Sequence, residues 1–293
     1  MTMADESVAF HERIVYACHD GTELVGDLYR PDGAGPHPVI LAVPGGAWRN
    51  ARRGSLAHWG RFLAGHGYAV FSIDYRQALR TSSFPQAVQD VWAAAQFLSG
   101  QNERLSLDAQ RLHLLGASAG AHLAALTALA GARQPFSGAY PQDPHADQQP
   151  NFRSLIAAYG VYDLFAHWQE TRELNPAPQQ DVTERFLGCG PFEDPGRYFL
   201  ASPLRHITSQ LNTLKVFLTW GTHDTAVSPR QSEAFRLALE QAGFYVRAQP
   251  VLGAGHYWFS EDALDDPHGF TAAVGSQIIR FLARISSAQT LAE

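Results

Sequence analysis

Residues 112 to 121, LHLLGASAGA, run from an apolar stretch through the pattern Gly-x-Ser-x-Gly into a segment rich in Ala and Leu. This order predicts a strand, a sharp turn and a helix, because Gly116 and Gly120 allow a close backbone approach that larger side chains would block. Ser118 is expected at the tip of the turn, in front of the N–H groups that begin the helix. Ser118 is therefore a candidate nucleophile, and its partners must come from elsewhere in the chain.

The composition is that of a globular protein with a large core. The chain has 293 residues, of which 45% are hydrophobic, and this favours a single domain over residues 1–293. The net charge is −6, and Lys215 is the only lysine among 22 basic residues. Because the sequence offers no basic stretch, nucleic acid is not expected as a partner.

Neither a secretory signal nor stable membrane insertion is expected. Residues 1–10 carry acidic side chains and lack a basic segment followed by an apolar one. Residues 112–132 are uncharged and long enough to span a bilayer, but the glycine-serine turn divides them into a buried strand and a buried helix. Cys18 and Cys189 fit neither a metal spacing nor a disulfide framework, and we expect buried or idle thiols. These features favour a cytoplasmic location.

Strand-like and helix-like segments alternate along most of the chain. An antiparallel hairpin is predicted over residues 10–30, with Asp20 and Gly21 at its turn. Predicted strands cover 39–46, 68–76, 112–118, 155–164, 215–224 and 245–252, and predicted helices cover 55–67, 84–100, 229–242 and 268–285. The alternation indicates an α/β fold with a mainly parallel sheet covered by helices on both faces. Approximately residues 133–200, rich in Pro, interrupt it and are expected to form a small cap or lid inserted in the domain.

Two acid-base candidates follow strands downstream of Ser118. Asp224 closes the run GTHD directly after VFLTW, and His256 closes GAGH after the next predicted strand. Because parallel strands bring their C-terminal ends to one edge of a sheet, we expect the three side chains to lie close together. A serine hydroxyl needs a base to accept its proton, and the base needs an acid that fixes its tautomer. The order Ser, Asp, His is the one expected of α/β-hydrolases.

An oxyanion hole is predicted beside Ser118. One donor is the backbone N–H of Ala119, the residue after the nucleophile. The other is expected from the glycine-rich run VPGGAW at residues 43–48, where small side chains let backbone N–H groups approach a carbonyl oxygen.

These motifs resemble those of α/β-hydrolases in the bacterial esterase group that includes hormone-sensitive-lipase-like and feruloyl-esterase-like (BD-FAE type) carboxylesterases. The resemblance extends from the first hairpin to His256. The matching runs are PGGAW, IDYR, FPQAVQD, GASAGAHLA, YGVYDL, ASPL, G-x-x-D and GAGH. The resemblance implies Ser118 as nucleophile, Asp224 as acid, His256 as base, and Gly46, Ala47 and Ala119 as oxyanion donors. Pro44 departs from the family, which usually has His there, and removes a side chain and an N–H that help to order the loop.

Other residues compete for these roles. Asp163 is the alternative acid, but we expect it instead to cap or order the loop that follows its strand. His223, His122 and His268 are alternatives to His256, and none of them follows the last strand. Six aromatic residues either line an acyl or aromatic pocket or simply pack in the core, and Trp48 and Tyr257 are predicted to bind substrate. The six are Trp48, Tyr75, Tyr162, Trp168, Tyr257 and Trp258. No cofactor and no metal site is predicted.

The sequence therefore predicts a serine carboxylic ester hydrolase that acts on small or medium acyl esters through an acyl-enzyme intermediate. An arylformamidase or a small-peptide amide hydrolase is the alternative within the enzyme class, because the same three residues serve either reaction. A non-catalytic ligand-binding protein with this fold is the alternative outside it. The expected partner is a small-molecule ester, and a homodimer is left open.

Overall fold

The computed structural model describes residues 8–174 and 181–290. Eight strands form one sheet in the order β1-β2-β4-β3-β5-β6-β7-β8. The strands are β1 (Val8–His19), β2 (Thr22–Pro31), β3 (His37–Val43), β4 (Ala69–Ile73), β5 (Leu107–Ala117), β6 (Phe152–Ala158), β7 (Lys215–Gly221) and β8 (Tyr245–Val251). β2 pairs antiparallel with β1 and β4, and every other neighbouring pair is parallel. The expected α/β-hydrolase fold with its N-terminal hairpin is confirmed.

Helices connect the parallel strands and cover both faces of the sheet. They are α1 (Ala57–Ala64), α2 (Gln86–Gly100), α3 (Asn102–Leu105), α4 (Ala119–Ala130), α5 (Leu164–Leu174), α6 (Val182–Leu187), α7 (Pro195–Ala201), α8 (Pro229–Gln241), α9 (Trp258–Glu261) and α10 (Phe270–Thr290). Short 3-10 turns lie at Arg53–Leu56, Pro203–His206 and Ser209–Leu211. Helix α9, directly after His256, was not expected from the sequence.

The central strands form the core because both of their faces are buried. Residues 39–43 of β3 are each 0% exposed, which explains the unbroken apolar run in the sequence. The predicted membrane-length segment 112–132 is divided into β5 and α4 as expected. Within the described residues, no helix combines the length and the apolar character that crossing a membrane requires.

Each of the six predicted strands ends earlier than the sequence suggested, by one to six residues. β6 stops at Ala158, because Tyr159 takes a positive φ of 39° and the chain leaves the sheet. β4 stops at Ile73, and two charged residues after it form ion pairs, Asp74 with Arg53 and Arg76 with Asp90. Both described cysteines are free; Cys18 is exposed on the edge strand and Cys189 is partly buried, so neither thiol is fully buried.

The predicted cap region falls into two parts on either side of β6. The loop before β6 packs on α2, where Gln96 donates to the carbonyl oxygens of Ala146 and Gln148 at 2.8 and 3.0 Å. The segment after β6 holds α5, α6 and α7 and precedes β7. Residues 175–180 of the predicted cap lie outside the described residues, as do residues 1–7 and 291–293 of the predicted domain.

Candidate active site

The turn between β5 and α4 holds Ser118 in a backbone conformation that few non-glycine residues adopt. Ser118 has φ 54° and ψ −124°, and its N–H donates to the Ala158 carbonyl oxygen at 2.9 Å. Gly120 is required there because a Cβ atom would meet the carbonyl oxygens of Val43 and Pro44. The turn and the end of β3 are therefore in backbone contact, which fixes the serine hydroxyl above the edge of the sheet.

The three predicted catalytic side chains lie together at this edge. His256 Nε2 is 2.9 Å from Ser118 Oγ, and His256 Nδ1 is 2.6 Å from Asp224 Oδ2. The side chains of His256 and Asp224 are 6% and 0% exposed. An ionised carboxylate has no hydrogen to donate, so Asp224 accepts the Nδ1–H of the imidazole. In the neutral imidazole Nε2 then carries a lone pair, which faces the serine hydroxyl.

Asp224 is held by backbone N–H groups as well as by the imidazole. Its Oδ1 accepts from the N–H groups of Ala226 and Val227, both at 2.9 Å. The loop after β7 thus surrounds the carboxylate with donors, as a buried ionised group requires. Asp224 does not cap the helix that follows, since the Ser228 hydroxyl accepts from the first turn of α8.

The competing acid and bases lie in other surroundings. Asp163 Oδ1 accepts from the first N–H groups of α5, and its Oδ2 pairs with Arg205 at 2.7 Å, so it caps that helix. His122 is wholly buried, and this burial lowers its pKa to about 4. His223 and His268 are exposed. Among the described histidines, His256 is the one hydrogen-bonded to Ser118.

The glycine-rich loop after β3 lies against the serine turn. A Cβ at Gly45 would lie 2.7 Å from the Ala117 carbonyl oxygen and 3.2 Å from Ser118 Cβ. Gly46 and Ala47 have φ of 129° and 50°, and within the described residues their N–H groups have no hydrogen-bond partner. Ala119, the first residue of α4, likewise presents an N–H with no partner inside its helix. All three predicted donors therefore border the space in front of Ser118.

Trp48 anchors the glycine-rich loop to the core. Its indole Nε1 donates to His122 Nδ1 at 3.0 Å, and its ring stacks on Phe186 at 4.7 Å between centroids. The residue is 1% exposed, and its carbonyl oxygen accepts from the N–H of Ala78 at 2.8 Å. Most of the predicted substrate-binding side chain is thus packed into the core, although the residue borders the cavity in front of Ser118.

A cavity of about 480 Å³ opens in front of Ser118. Tyr257, the second predicted substrate-binding residue, lines it and is 60% exposed. The other lining residues are Gly45, Gly46, Ala47, Trp48, Arg49, Asn50, Arg52, Ser55, Ser118, Ala119, Tyr159, Val161, His167, Val182, Ala226, Val227, His256 and Ser260. The remaining four aromatic candidates do not line it. Tyr162, for example, stacks on Phe235 in the core at 4.1 Å between ring centroids.

Two of the lining residues that the sequence did not single out contact the site closely, Tyr159 and His167. Tyr159 lies with its ring centroid 4.4 Å from that of His256, and its hydroxyl is 3.1 Å from Ser260 Oγ. Its position directly after β6 was the signal that could have found it. His167 comes from α5, and burial lowers its pKa to about 4, so it is neutral. No motif marks His167, because its neighbours in the cavity are distant in sequence.

The described His, Cys, Asp and Glu side chains form no group of three that could hold a metal ion.

Comparison with known proteins identifies the family. The BD-FAE family model matches residues 26–239, which is more than half of the chain. The chain belongs to the BD-FAE family. This BD-FAE chain is 30% identical over 251 residues to the esterase LipQ of Mycobacterium tuberculosis, a match that covers 82% of the chain and 55% of LipQ. It is also 30% identical over 228 residues to a probable isoprenylcysteine alpha-carbonyl methylesterase of Oryza sativa subsp. japonica, with coverages of 74% and 50%. The BD-FAE chain spans about half the length of these two curated relatives.

Solved structures share the fold of the BD-FAE chain. A truncated carbohydrate esterase from gut microbiota superposes with a TM-score of 0.79 at 19% identity, covering 97% of this chain and 99% of that one. A propionate-bound esterase, Est2 of Thermogutta terrifontis, superposes with a TM-score of 0.73 at 23% identity, covering 97% and 95%.

Proposed function

We propose that this chain is a serine carboxylic ester hydrolase that forms an acyl-enzyme on Ser118. The observation that carries the proposal is the line of hydrogen bonds from Ser118 Oγ to His256 Nε2, at 2.9 Å, and from His256 Nδ1 to Asp224, at 2.6 Å. This line ends at a cavity bordered by unpartnered backbone N–H groups. The names of the relatives, an esterase and a methylesterase, support the same reaction class.

The first half of the reaction transfers the acyl group to the enzyme. His256 Nε2 accepts the hydroxyl proton as Ser118 Oγ bonds to the ester carbonyl carbon, and the carbonyl π electrons move to oxygen. The N–H groups of Gly46, Ala47 and Ala119 donate to this oxyanion, and removing one such donor typically costs about 3 to 4 kcal/mol of transition-state stabilisation. The C=O then re-forms, the bond to the alcohol oxygen breaks, and His256 gives that oxygen its proton.

The second half returns the enzyme to its starting state. Water replaces the alcohol, His256 accepts a water proton, and the resulting hydroxide oxygen bonds to the acyl carbon. The second oxyanion collapses, the bond from Ser118 Oγ breaks, and His256 returns the proton to the serine. Throughout both halves Asp224 keeps the imidazole in one tautomer and stabilises its charged form.

The cavity supports small or medium acyl esters as substrates, since its volume of about 480 Å³ holds a small organic molecule. The exposed ring of Tyr257 is proposed to contact the substrate directly, and Trp48 to shape the wall. Helices α5 and α6 are the proposed cap, because His167 and Val182 reach the cavity from them. The proposed partner is a small-molecule ester, and a cytoplasmic location remains a prediction of the sequence.

The test compares wild type with Ser118→Ala on a panel of short acyl esters, feruloyl esters, formylated aromatic amines and peptide amides. Wild type should hydrolyse esters, and the variant should lose turnover by about 10⁵-fold or more while keeping its circular dichroism and melting temperature. An esterase of Thermogutta terrifontis has been captured phosphoramylated by tabun. An organophosphate should therefore label Ser118 here, as shown by a mass shift on its peptide.

Three outcomes would contradict the proposal. Ester turnover that survives in Ser118→Ala would remove the nucleophile from its role. Hydrolysis confined to formylated amines or peptide amides would favour the amide alternative. No labelling and no turnover of any compound would favour a non-catalytic binding protein.

A further inference from the structure

Three arginines follow the glycine-rich loop, and their surroundings differ sharply. Arg53 is neutralised by Asp27 at 2.8 Å and by Asp74 at 2.6 Å. Arg49 and Arg52 are exposed, and within the described residues neither of them forms an ion pair or a side-chain hydrogen bond. Two cations in this short segment are therefore left without a protein partner.

Both of these arginines line the cavity that contains Ser118. The described lining residues include no Asp or Glu, so no carboxylate there offsets the two positive charges. Asp224 lies behind His256, 0% exposed and bound to its three donors. This local excess of positive charge contrasts with the net charge of −6 for the whole chain.

Arginine is suited to bind an anionic group at such a position. Its planar guanidinium presents paired N–H donors that match the two oxygens of a carboxylate, and it remains charged at all relevant pH values. A cavity rim with charge of one sign also raises the local concentration of oppositely charged molecules and speeds their association. An unpaired arginine elsewhere on the surface would have neither effect on turnover.

We propose that the hydrolase takes esters that carry a second, ionised acidic group, which Arg49 and Arg52 bind while the ester carbonyl lies at Ser118. The inference rests on the proposed function and adds the charge of the substrate to it. The acidic group can belong to the acyl part or to the alcohol part of the ester, and both sources present the same chemistry to the arginines.

The test uses pairs of esters that match in size and differ in charge. Monomethyl succinate and methyl succinamate place the difference on the acyl part, and 4-acetoxybenzoate and 4-acetoxybenzamide place it on the alcohol part. The enzymes are wild type, Arg49→Gln, Arg52→Gln and the double variant. Arg104→Gln is the matched control, because Arg104 is an exposed arginine of α3, which precedes β5 and lies outside the cavity lining.

Wild type should prefer the anionic member of at least one pair by about tenfold in kcat/KM. Each single substitution should lower kcat/KM for that anionic ester by roughly threefold to fivefold, as expected for exposed ion pairs, and the double variant should lower it about tenfold or more. The neutral ester should change by less than about twofold in each variant, and Arg104→Gln should leave both esters unchanged. Raising the ionic strength should reduce the preference, since salt screens exposed charges.

Equal loss of activity on anionic and neutral esters in the double variant would overturn the inference, as would a wild-type enzyme with no charge preference. In both cases, continued Ser118-dependent hydrolysis of the neutral esters would leave the proposed function standing. A wild-type enzyme that hydrolyses none of the four esters or the panel above would overturn the proposed function, and this inference with it.

Discussion

Gly120→Ala should displace the backbone donors of the glycine-rich loop after β3 while leaving the three catalytic side chains chemically unchanged. The substitution adds a single Cβ atom, which would meet the Val43 carbonyl oxygen and would lie 2.6 Å from that of Pro44. Ordinary contacts of a Cβ begin at 3.4 Å, and the atoms in the way are backbone rather than a flexible side chain. The end of β3 and the first turn of α4 must therefore separate by about an ångström or more, which shifts the donors at Gly46 and Ala47 relative to Ser118.

The size of the effect follows from this displacement. Misplacing catalytic groups by about 1 Å costs roughly 100-fold in rate, so kcat/KM for a neutral ester should fall by about two orders of magnitude. Overpacking a tight site costs about 1 to 3 kcal/mol of unfolding free energy. For a chain of 293 residues, with an unfolding entropy of about 2.1 cal/mol/K per residue, about 2 kcal/mol corresponds to a fall of about 3 °C in melting temperature. The protein should thus remain folded at room temperature and lose most of its turnover.

The assay combines ester hydrolysis, thermal melts and organophosphate titration, which reports the fraction of reactive Ser118. Gly255→Ala is the matched control, because this glycine precedes His256 directly but has no atom within 4 Å of an added Cβ and has no positive φ. Its kcat/KM and melting temperature should stay near wild type. Wild-type activity in Gly120→Ala, or an equal loss in Gly255→Ala, would refute the link between this backbone contact and the donors.

Two further substitutions test the acid and a buried histidine. Asp224→Asn should lower kcat by about 10⁴-fold by disturbing the imidazole tautomer, whereas Asp163→Asn, which alters only the cap of α5, should stay within about threefold; the reverse order would assign the acid to Asp163. His19 Nδ1 and Nε2 contact Asp90 at 2.9 Å and Asp143 at 2.7 Å. Burial lowers the pKa of His19, but these carboxylates outweigh it and raise the pKa above 6.5. The resulting stability is fully present below pH 6.5 and is lost as pH rises through the folded-state pKa. Guanidinium unfolding at about pH 5.5 and about pH 8.5 should show a larger loss in wild type than in His19→Asn, and equal losses would contradict the assignment.

The part of the site that follows a strand was predictable from sequence. Ser118 and Asp224 each come shortly after an apolar run, whereas His256 follows β8, whose sequence YVRAQPV is mixed and partly exposed; a parallel sheet brings the ends of all three strands to one edge. The physical signal is local, since burial of both faces of a strand leaves an uninterrupted apolar stretch. Tyr159 obeys the same rule and begins the matched run YGVYDL, but nothing in that run indicates that its ring would lie against His256.

Contacts between distant segments were not predictable in this way. Asp143 is 124 residues from His19, and the loop that carries it shows only a polar, proline-rich composition. That composition excludes a regular element but does not indicate what the loop contacts. The same holds for His167, which reaches the cavity from α5, and for Arg49, whose proposed role depends on the lack of a carboxylate among the lining residues. Which side chains lie around a residue is determined by the fold and not by its neighbours in the sequence.

Pro44 shows why a departure from a family motif has to be judged in the folded chain. Proline there supplies neither the side chain nor the N–H that the resemblance leads us to expect from a histidine at this position. Its carbonyl oxygen instead accepts the hydroxyl of the buried Tyr75 at 3.1 Å. Gln77 lies two residues after Tyr75. Its side-chain oxygen accepts from the Ala51 N–H and its side-chain nitrogen donates to the Ala51 carbonyl oxygen, both at 3.0 Å.

The segment that follows β4 therefore holds the loop at both of its ends, and the Ala78 N–H holds Trp48 between them. A loop held by these contacts keeps its N–H groups in place without the missing side chain, as preorganised donors must be. The residues that compensate for Pro44 thus lie about thirty positions downstream of it, beyond the reach of any motif centred on the glycines.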